Sequence, residues 1–209
     1  MYRILILGPQ GSGKNTQAEL LAKKLGIPMI SAGDLWREEI AKKTEFGLKA
    51  EPILAAGNLA PNEWTNELMI KRLARPDASA GYIVNGYPRN LAQAQAFEKI
   101  ASPTHVIELA FSDEEAIKRL SGRCVCAVCG RNYHLIYSPP QKEGVCDIDK
   151  GALVLRDDDK PEAVRKRLEI YRNDTEPLFN FYQPRGIVHT INAAQPIEKV
   201  FENIVQIFS

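Results

Sequence analysis

The chain has 209 residues, 44% hydrophobic and 25% charged, with a mean hydropathy of −0.26. That is enough apolar material for a packed core, which excludes disordered and collagenous classes, and the length fits one α/β domain carrying inserted lobes. Lys and Arg total 27 against 26 Asp and Glu, so the net charge of +1 gives no general attraction to nucleic acid or to a membrane surface. Any anion site has to be local.

From the start, YRILILG at 2–8 reads as a short buried strand that stops at glycine. Its apolar run, Ile4 to Leu7, is far short of the roughly 18 residues of a membrane span, so neither a signal peptide nor an anchor is expected. Ala18, Leu21, Ala22 and Leu25 then repeat at helical spacing. Residues 32–60 read as short helical pieces interrupted by Gly47 and Gly57, without a convincing strand. Further strands are predicted at 82–85, 104–110 and 187–191, each separated from the next by helix-patterned sequence, the pattern of a mostly parallel sheet with helices on its faces.

Ser112 and Glu115 form a capping box ahead of Ala116, Ile117 and Leu120. Residues 122–159 are cysteine-bearing and rich in glycine and β-type residues, with Pro139-Pro140 and then Asp157-Asp158-Asp159. After Pro161 the spacing of Val164, Leu168, Tyr171, Thr175 and Leu178 restores a helix, with a bend expected near Pro177. Pro196 sits where the first turn of a last helix begins, before Ile197, Val200, Phe201, Ile204 and Val205. The expected division is a core of 1–31, 61–121 and 160–209 with lobes at 32–60 and 122–159.

Gly8-Pro9-Gln10-Gly11-Ser12-Gly13-Lys14 matches GxxxxGK directly after a strand and at the opening of a helix. Glycines let successive backbone N–H groups turn inward, the helix N-terminus adds partial positive charge, and Lys14 adds a full one, which together suit a polyphosphate. Asn15 follows the lysine where Ser or Thr is usual, with Thr16 one place later.

All four cysteines, Cys124, Cys126, Cys129 and Cys146, lie between positions 124 and 146 of a chain with no secretory signature. A reduced, cytoplasmic setting and a metal site are favoured over free buried thiols or a disulfide. Cys126 and Cys129 form a CxxC knuckle, and Cys146 and Asp149 complete a set of three thiolates and one carboxylate suited to tetrahedral zinc. His134 competes with Asp149 as fourth ligand, and Cys124 is a spare thiol. The metal's role would be structural, because so small a lobe lacks a core.

The Lys-x-Thr ending and its continuation TQAELLAKKLGIPMISAGDLWRE resemble the nucleoside monophosphate kinases, and adenylate kinases in particular. The likeness runs over nearly the whole chain, through NGYPRNLAQA at 85–94, GRCVCAVCG at 122–130, RDDD at 156–159 and VRKRL at 164–168. It implies a P-loop core, an AMP-binding lobe at 32–60, a zinc-bearing lid at 122–159, and Mg²⁺-dependent phosphoryl transfer from ATP to AMP giving two ADP. Closing lobes fit that chemistry, since water must be excluded from the transferring group.

By the same resemblance, Lys14, Arg89, Arg123, Arg156 and Arg167 are the catalytic residues. Gly11, Ser12, Gly13, Lys14, Asn15, Thr16, Arg119 and Arg123 hold ATP, with Arg119 packed on its adenine. Ala32, Arg37, Gly86, Arg89, Gln93, Arg156 and Arg167 hold AMP, and Asp158 and Asp159 orient lid arginines. Guanidinium groups grip phosphate oxygens bidentately, and an amide such as Gln93 both donates and accepts at a base edge. UMP/CMP kinases usually carry asparagine at the position of Gln93 and lack a long lid, so adenine is expected. The Cys3Asp set also occurs in zinc-bearing adenylate kinase lids. A monomer without nucleic-acid or membrane partners is expected.

Three positions depart from the family pattern. Asn15 replaces a glycine, Ala32 a threonine that contacts AMP, and Asn85 an aspartate that holds waters of the Mg²⁺ shell. The alternatives are therefore a nucleotide-binding module with weakened catalysis, or a kinase of another nucleoside monophosphate. A GTPase is disfavoured by the lack of NKxD, and a protein kinase by the lack of HRD and DFG.

Overall fold

The computed structural model describes residues 1–155 and 161–208. Strand β1 (Tyr2–Leu7) lies at the centre of a five-stranded, wholly parallel sheet. Its neighbours are β3 (Gly81–Asn85) and β4 (His105–Ala110), flanked by the edge strands β2 (Met29–Ser31) and β8 (Val188–Asn192). The alternation of β1 sets the two faces. Leu5 and Leu7 pack with Val84, Val106, Phe97 and Tyr182 on one side, whereas Ile4 and Ile6 pack with Ile83, Ile107, Leu21 and Ile204 on the other. The central strands β1 and β3 are thus buried on both faces, as a sheet covered by helices requires, while the edge strand β8 stays partly exposed.

Helix α1 (Lys14–Leu25) follows the glycine loop and ends at Gly26, whose φ of 66° is the left-handed conformation common at helix C-termini. Strand β2 escaped prediction because three residues give no period to read. Next come α2 (Ala32–Ala41) and α3 (Glu45–Ala55), capped by the Ser31 and Thr44 hydroxyls, then α4 (Asn62–Leu73). Trp36, Ala50 and Ala60 form a separate small core with Phe46 and Trp64, whose rings stack at 5.6 Å.

Gly47 does not interrupt a helix, contrary to expectation; it lies in the first turn of α3, and the break falls at 42–44. A Cβ there would sit 2.2 Å from the Glu39 carbonyl oxygen, so the residue is small because α2 and α3 touch backbone to backbone.

Beyond α5 (Leu91–Glu98) and α6 (Asp113–Leu120), the strands β5 (Arg123–Cys126), β6 (Asn132–His134) and β7 (Leu153–Val154) form a small antiparallel sheet. The Ser112 hydroxyl accepts from the Glu115 amide at 3.2 Å, as the capping pattern implied. Helix α7 (Pro161–Ile170) continues into a π-helical stretch, Tyr171–Thr175, before α8 (Leu178–Tyr182). The expected bend at Pro177 is therefore preceded by a change of helical register. Across it Val164, Leu168, Tyr171, Thr175 and Leu178 all still face inward. Pro196 stands just outside the first turn of α9 (Ile197–Gln206) rather than in it. No helix among the described residues is long and apolar enough to cross a membrane.

Candidate active site

Because all five strands of the main sheet run the same way, the segments that follow β1, β2, β3 and β8 emerge at one edge, where ligands of open α/β sheets sit. There they line a cleft of about 980 Å³. It brings together Gly11, Ser12, Gly13, Lys14, Asn15 and Thr16 from the glycine loop and α1, and Ala32 and Arg37 from α2. Gly86, Arg89 and Gln93 follow β3, Arg119 and Arg123 flank the start of the small sheet, and Arg167 comes from α7. Arg156, Asp158 and Asp159 lie outside the described residues.

Gly8, Gly11 and Gly13 take φ of 155°, 82° and 83°, which keeps the loop wrapped around the start of α1. Lys14 Nζ donates to the carbonyl oxygens of Gly8 and Pro9, each at 2.7 Å. Burial pushes the Lys14 ammonium well below its usual pKa, and the charges of Arg89, Arg167 and Arg123 push the same way. The cleft is therefore a concentration of positive charge in a nearly neutral protein, which is where the composition confines any anion site.

Arg89 is held from both sides. Its Nε donates to the Gly86 carbonyl at 2.8 Å, and its own carbonyl accepts from the Thr175 hydroxyl at 2.7 Å. The π-helical stretch that carries Thr175 thus supports the arginine, and Arg172 in the same stretch bonds Asp113 and the Phe111 carbonyl after β4. Arg37 pairs with Asp34 one turn earlier on α2. The Arg119 guanidinium lies 4.4 Å from the Phe111 ring centroid and 5.3 Å from that of Tyr137.

Gln93 is 2% exposed at the cleft wall. Its Oε1 accepts from the Arg89 amide at 2.8 Å and its Nε2 donates to Asn62 Oδ1 at 3.0 Å. Asn85, at the end of β3, donates from Nδ2 to Asn15 Oδ1 at 3.0 Å, and Asn15 Nδ2 donates onward to Glu19.

Several lining residues gave no functional signal in the sequence: Gln195 and Pro196 between β8 and α9, Ile197 and Glu198 in the first turn of α9, Asn132 and Tyr133 of β6, and Tyr137 just beyond it. Only the folded topology brings them to the cleft.

Cys126, Cys129, Cys146 and Asp149 each offer one ligand atom, all within 4.8 Å of one another. Thiolates at about 2.3 Å from a tetrahedral zinc stand about 3.8 Å apart, and Cys129 and Cys146 Sγ are 3.7 Å apart. Cys126 Sγ donates to Asp149 Oδ1 at 3.2 Å. Hydrogen bonds from Cys129, the Gly151 amide and Cys126 hold the Asp149 carboxyl below the usual carboxylate range, and the bond to Asp149 pushes the Cys129 thiol up to about 12. These thiol protons are what a cation would displace, so the cluster fits zinc in number, chemistry and spacing. The Val128 amide donates to Cys126 Sγ at 3.3 Å, and the Tyr133 hydroxyl lies 3.4 Å from Cys146 Sγ.

Cys124 and His134 stand apart from the cluster. His134 Nε2 lies 2.7 Å from the Arg119 carbonyl, while its Nδ1 accepts from the Ile136 and Tyr137 amides at 3.0 and 3.1 Å. Two amide donors at Nδ1 place the ring proton on Nε2, so neither nitrogen is offered to a metal.

Fold and glycine loop together define a mononucleotide-binding α/β protein. The chain belongs to the adenylate kinase family, whose model it matches over residues 6–187. It is 44% identical over 204 residues to an adenylate kinase of Streptomyces coelicolor, covering 95% of this chain and 94% of the relative. It is 42% identical over 206 residues to one of Archaeoglobus fulgidus, covering 96% and 95%. A third, from Caldicellulosiruptor saccharolyticus, is 40% identical over 209 residues, covering 98% and 97%.

Proposed function

We propose that this cleft carries out the reaction of its family, in which a nucleoside monophosphate kinase interconverts ATP and AMP with two molecules of ADP. The observation that carries the reading is the convergence of Lys14, Arg89, Arg123 and Arg167 on one cleft beside the glycine loop. No side-chain nucleophile is required, because the AMP phosphate itself attacks the γ-phosphorus of ATP in line; what the protein supplies is position and positive charge.

In this reading the ATP phosphates lie in the loop of Gly11, Ser12 and Gly13, with Asn15 and Thr16 beside them. Lys14 leaves its two carbonyl partners for the transferring group. Arg119 and Arg123 serve ATP; Ala32, Arg37, Gly86 and Gln93 serve AMP; Arg89, Arg156 and Arg167 neutralise charge between the two. Mg²⁺, when bound with ATP, would offset phosphate charge, and Asn85 and Asn15, hydrogen-bonded to each other in the cleft wall, would face its water shell. Residues 32–60 and 122–159 act as the AMP lobe and the lid over a core of 1–31, 61–121 and 160–209. The cysteine cluster holds structural zinc in the lid. The protein acts as a cytoplasmic monomer, with no nucleic-acid or membrane partner.

The uncharged Asn85–Asn15 pair favours a second reading, a nucleotide-binding module with weakened catalysis. Measuring ADP formed from ATP with AMP, CMP, UMP or GMP separates the two. Rapid turnover with AMP supports the kinase; nucleotide binding with no turnover supports the module. Preference for another monophosphate would replace AMP as substrate. Gln93→Asn should weaken the preference for AMP over CMP and UMP, because the shorter amide no longer reaches the base.

A further inference from the structure

Gln93 is an amide with two chemically opposite ends, and a base-reading amide is useful only if those ends cannot exchange places. Two backbone N–H groups determine the orientation of every amide around it. The Gln93 amide donates to Asn90 Oδ1 at 2.9 Å, which is the N-cap bond of α5. That bond fixes the oxygen of Asn90, so its Nδ2 must be the group that faces Asn62, at 2.9 Å. Asn62 must therefore present its oxygen. The Arg89 amide likewise fixes the Gln93 oxygen on its own side at 2.8 Å, leaving Gln93 Nε2 to donate to the same Asn62 Oδ1 at 3.0 Å. Asn62 Oδ1 is the shared acceptor at which both constraints meet.

Asn62 is the first residue of α4 and lies 31 positions from Gln93, so the contact is tertiary and local sequence does not impose it. We infer that Asn62 is a positioning residue for base selection, locking the Gln93 carboxamide with its oxygen toward Arg89 and its nitrogen toward α4. The locked amide still has one hydrogen and one lone pair uncommitted. Their fixed order matters because the two purines are opposites at this edge: adenine offers an amino donor beside a ring-nitrogen acceptor, whereas guanine offers a carbonyl acceptor beside a ring N–H donor. A locked amide complements one of them; a free one turns over and serves both. The inference rests on the proposal that Gln93 reads the base.

The test is the ratio of kcat/KM for AMP to that for GMP, measured with ATP on the full chain. Asn62→Ala removes one of the two bonds that order the carboxamide, leaving only the Arg89 amide, and should lower the ratio by up to about tenfold, roughly the value of one hydrogen bond. Asn62→Asp keeps an acceptor oxygen in place and should keep the ratio within about twofold. Any effect of its added charge on monophosphate binding falls on both nucleotides and cancels. A general loss of packing would lower both rates together and leave the ratio alone.

Gln93→Leu separates failure of the premise from failure of the inference. If Gln93→Leu collapses the ratio and Asn62→Ala does not, Asn62 has no positioning role. If Gln93→Leu leaves the ratio unchanged, the base is read elsewhere and the inference falls with its premise. Equal losses in Asn62→Ala and Asn62→Asp would also overturn it, since the acceptor would then be irrelevant. Should Asn62→Ala fail to fold, NMR of the wild-type protein decides. The Gln93 side-chain NH₂ should exchange slowly with water and show nuclear Overhauser contacts to Asn62, and an NH₂ that exchanges as fast as that of an exposed glutamine and lacks those contacts would refute the lock.

Discussion

Asn85 donates its side-chain amide to the side-chain oxygen of Asn15 at 3.0 Å, joining the end of β3 to the first turn of α1 across 70 positions of sequence. Two of the three departures from the family pattern are thus one interacting unit. Asn15 passes the polarity on to the Glu19 carboxyl, whose pKa is raised by burial and by the charge of Asp34. An aspartate at 85 would face the Asn15 oxygen, and the amide could turn to meet it only by directing that oxygen at Glu19. A carboxylate at 85 and an asparagine at 15 are therefore poorly compatible.

It follows that Asn85→Asp should gain little alone and more in an Asn15→Gly background, with a coupling energy of about 1 kcal/mol in the double-mutant cycle. The measurement is the Mg²⁺ concentration for half-maximal rate, which should fall most in the double variant while KM for AMP stays nearly constant. Identical titrations in all four proteins would put both asparagines away from the cation.

Lys14→Met should reduce kcat by at least about 100-fold, the scale on which removal of one preorganised charge partner is felt. The cost to folding should be small, because the lysine's own bonds go to two loop carbonyls that water can serve. Rate and thermal midpoint measured on one preparation check both halves; a near-normal rate would remove Lys14 from the chemistry.

Purified protein should carry about one zinc per chain by elemental analysis. Among the described residues the small sheet has only Cys124, Cys126, Tyr133 and Cys146 as buried core, with Leu153 packed against them, too little to hold 122–155 without a staple. Cys146→Ser should then lower the thermal midpoint more than Cys124→Ser, whose thiol lies outside the cluster. Tyr133→Phe should speed zinc loss to a chelator without emptying the site, since it deletes only the hydroxyl beside Cys146 Sγ.

The core and the glycine loop were legible because each carries its own local signature. Leu5 and Leu7 alternate with Ile4 and Ile6, and Gly8, Gly11 and Gly13 occupy conformations that other residues avoid. The cysteine cluster was legible from spacing. What stayed hidden was set by tertiary approach: the Asn62–Gln93 bond, the Asn85–Asn15 bond, and the entry of Gln195 and Glu198 into the cleft. Gly47 was misread for the same reason, since in sequence a glycine that breaks a helix and one that lets two helices touch look alike.

His134 supplies a pH dependence. Its pKa is lowered from 6.5 chiefly by burial, with Arg119 and Arg123 adding repulsion and the bond to the Arg119 carbonyl opposing the shift. As pH falls below about 6.5 the unfolded chain takes up a proton that the folded chain refuses, so stability declines until the folded pKa is reached and then levels. His105 is lowered in the same direction, by burial and by His189. The thermal midpoint should therefore drop between pH 7 and 5, and His134→Gln should flatten part of that slope. An unchanged slope would show His134 titrating normally.

Gly47→Ala tests the closest approach in the 32–60 segment. An added Cβ would stand 2.2 Å from the Glu39 carbonyl oxygen, 2.4 Å from its carbon and 2.7 Å from the Ile40 nitrogen. All three are backbone atoms, so no side-chain rotation relieves the clash and α2 must move away from α3. Helix propensity alone favours alanine by about 0.5–1 kcal/mol, whereas overpacking of this kind costs about 1–3 kcal/mol or more. The net should be destabilising, and because α2 carries Ala32 and Arg37, KM for AMP should rise more than KM for ATP. Gly33→Ala is the control for stability: its Cβ would meet only the Arg37 guanidinium at 3.3 Å, the far end of a flexible side chain. Urea unfolding should rank Gly33→Ala near the wild type and Gly47→Ala well below it, and equal stability of the two variants would mean that α2 and α3 do not pack this closely.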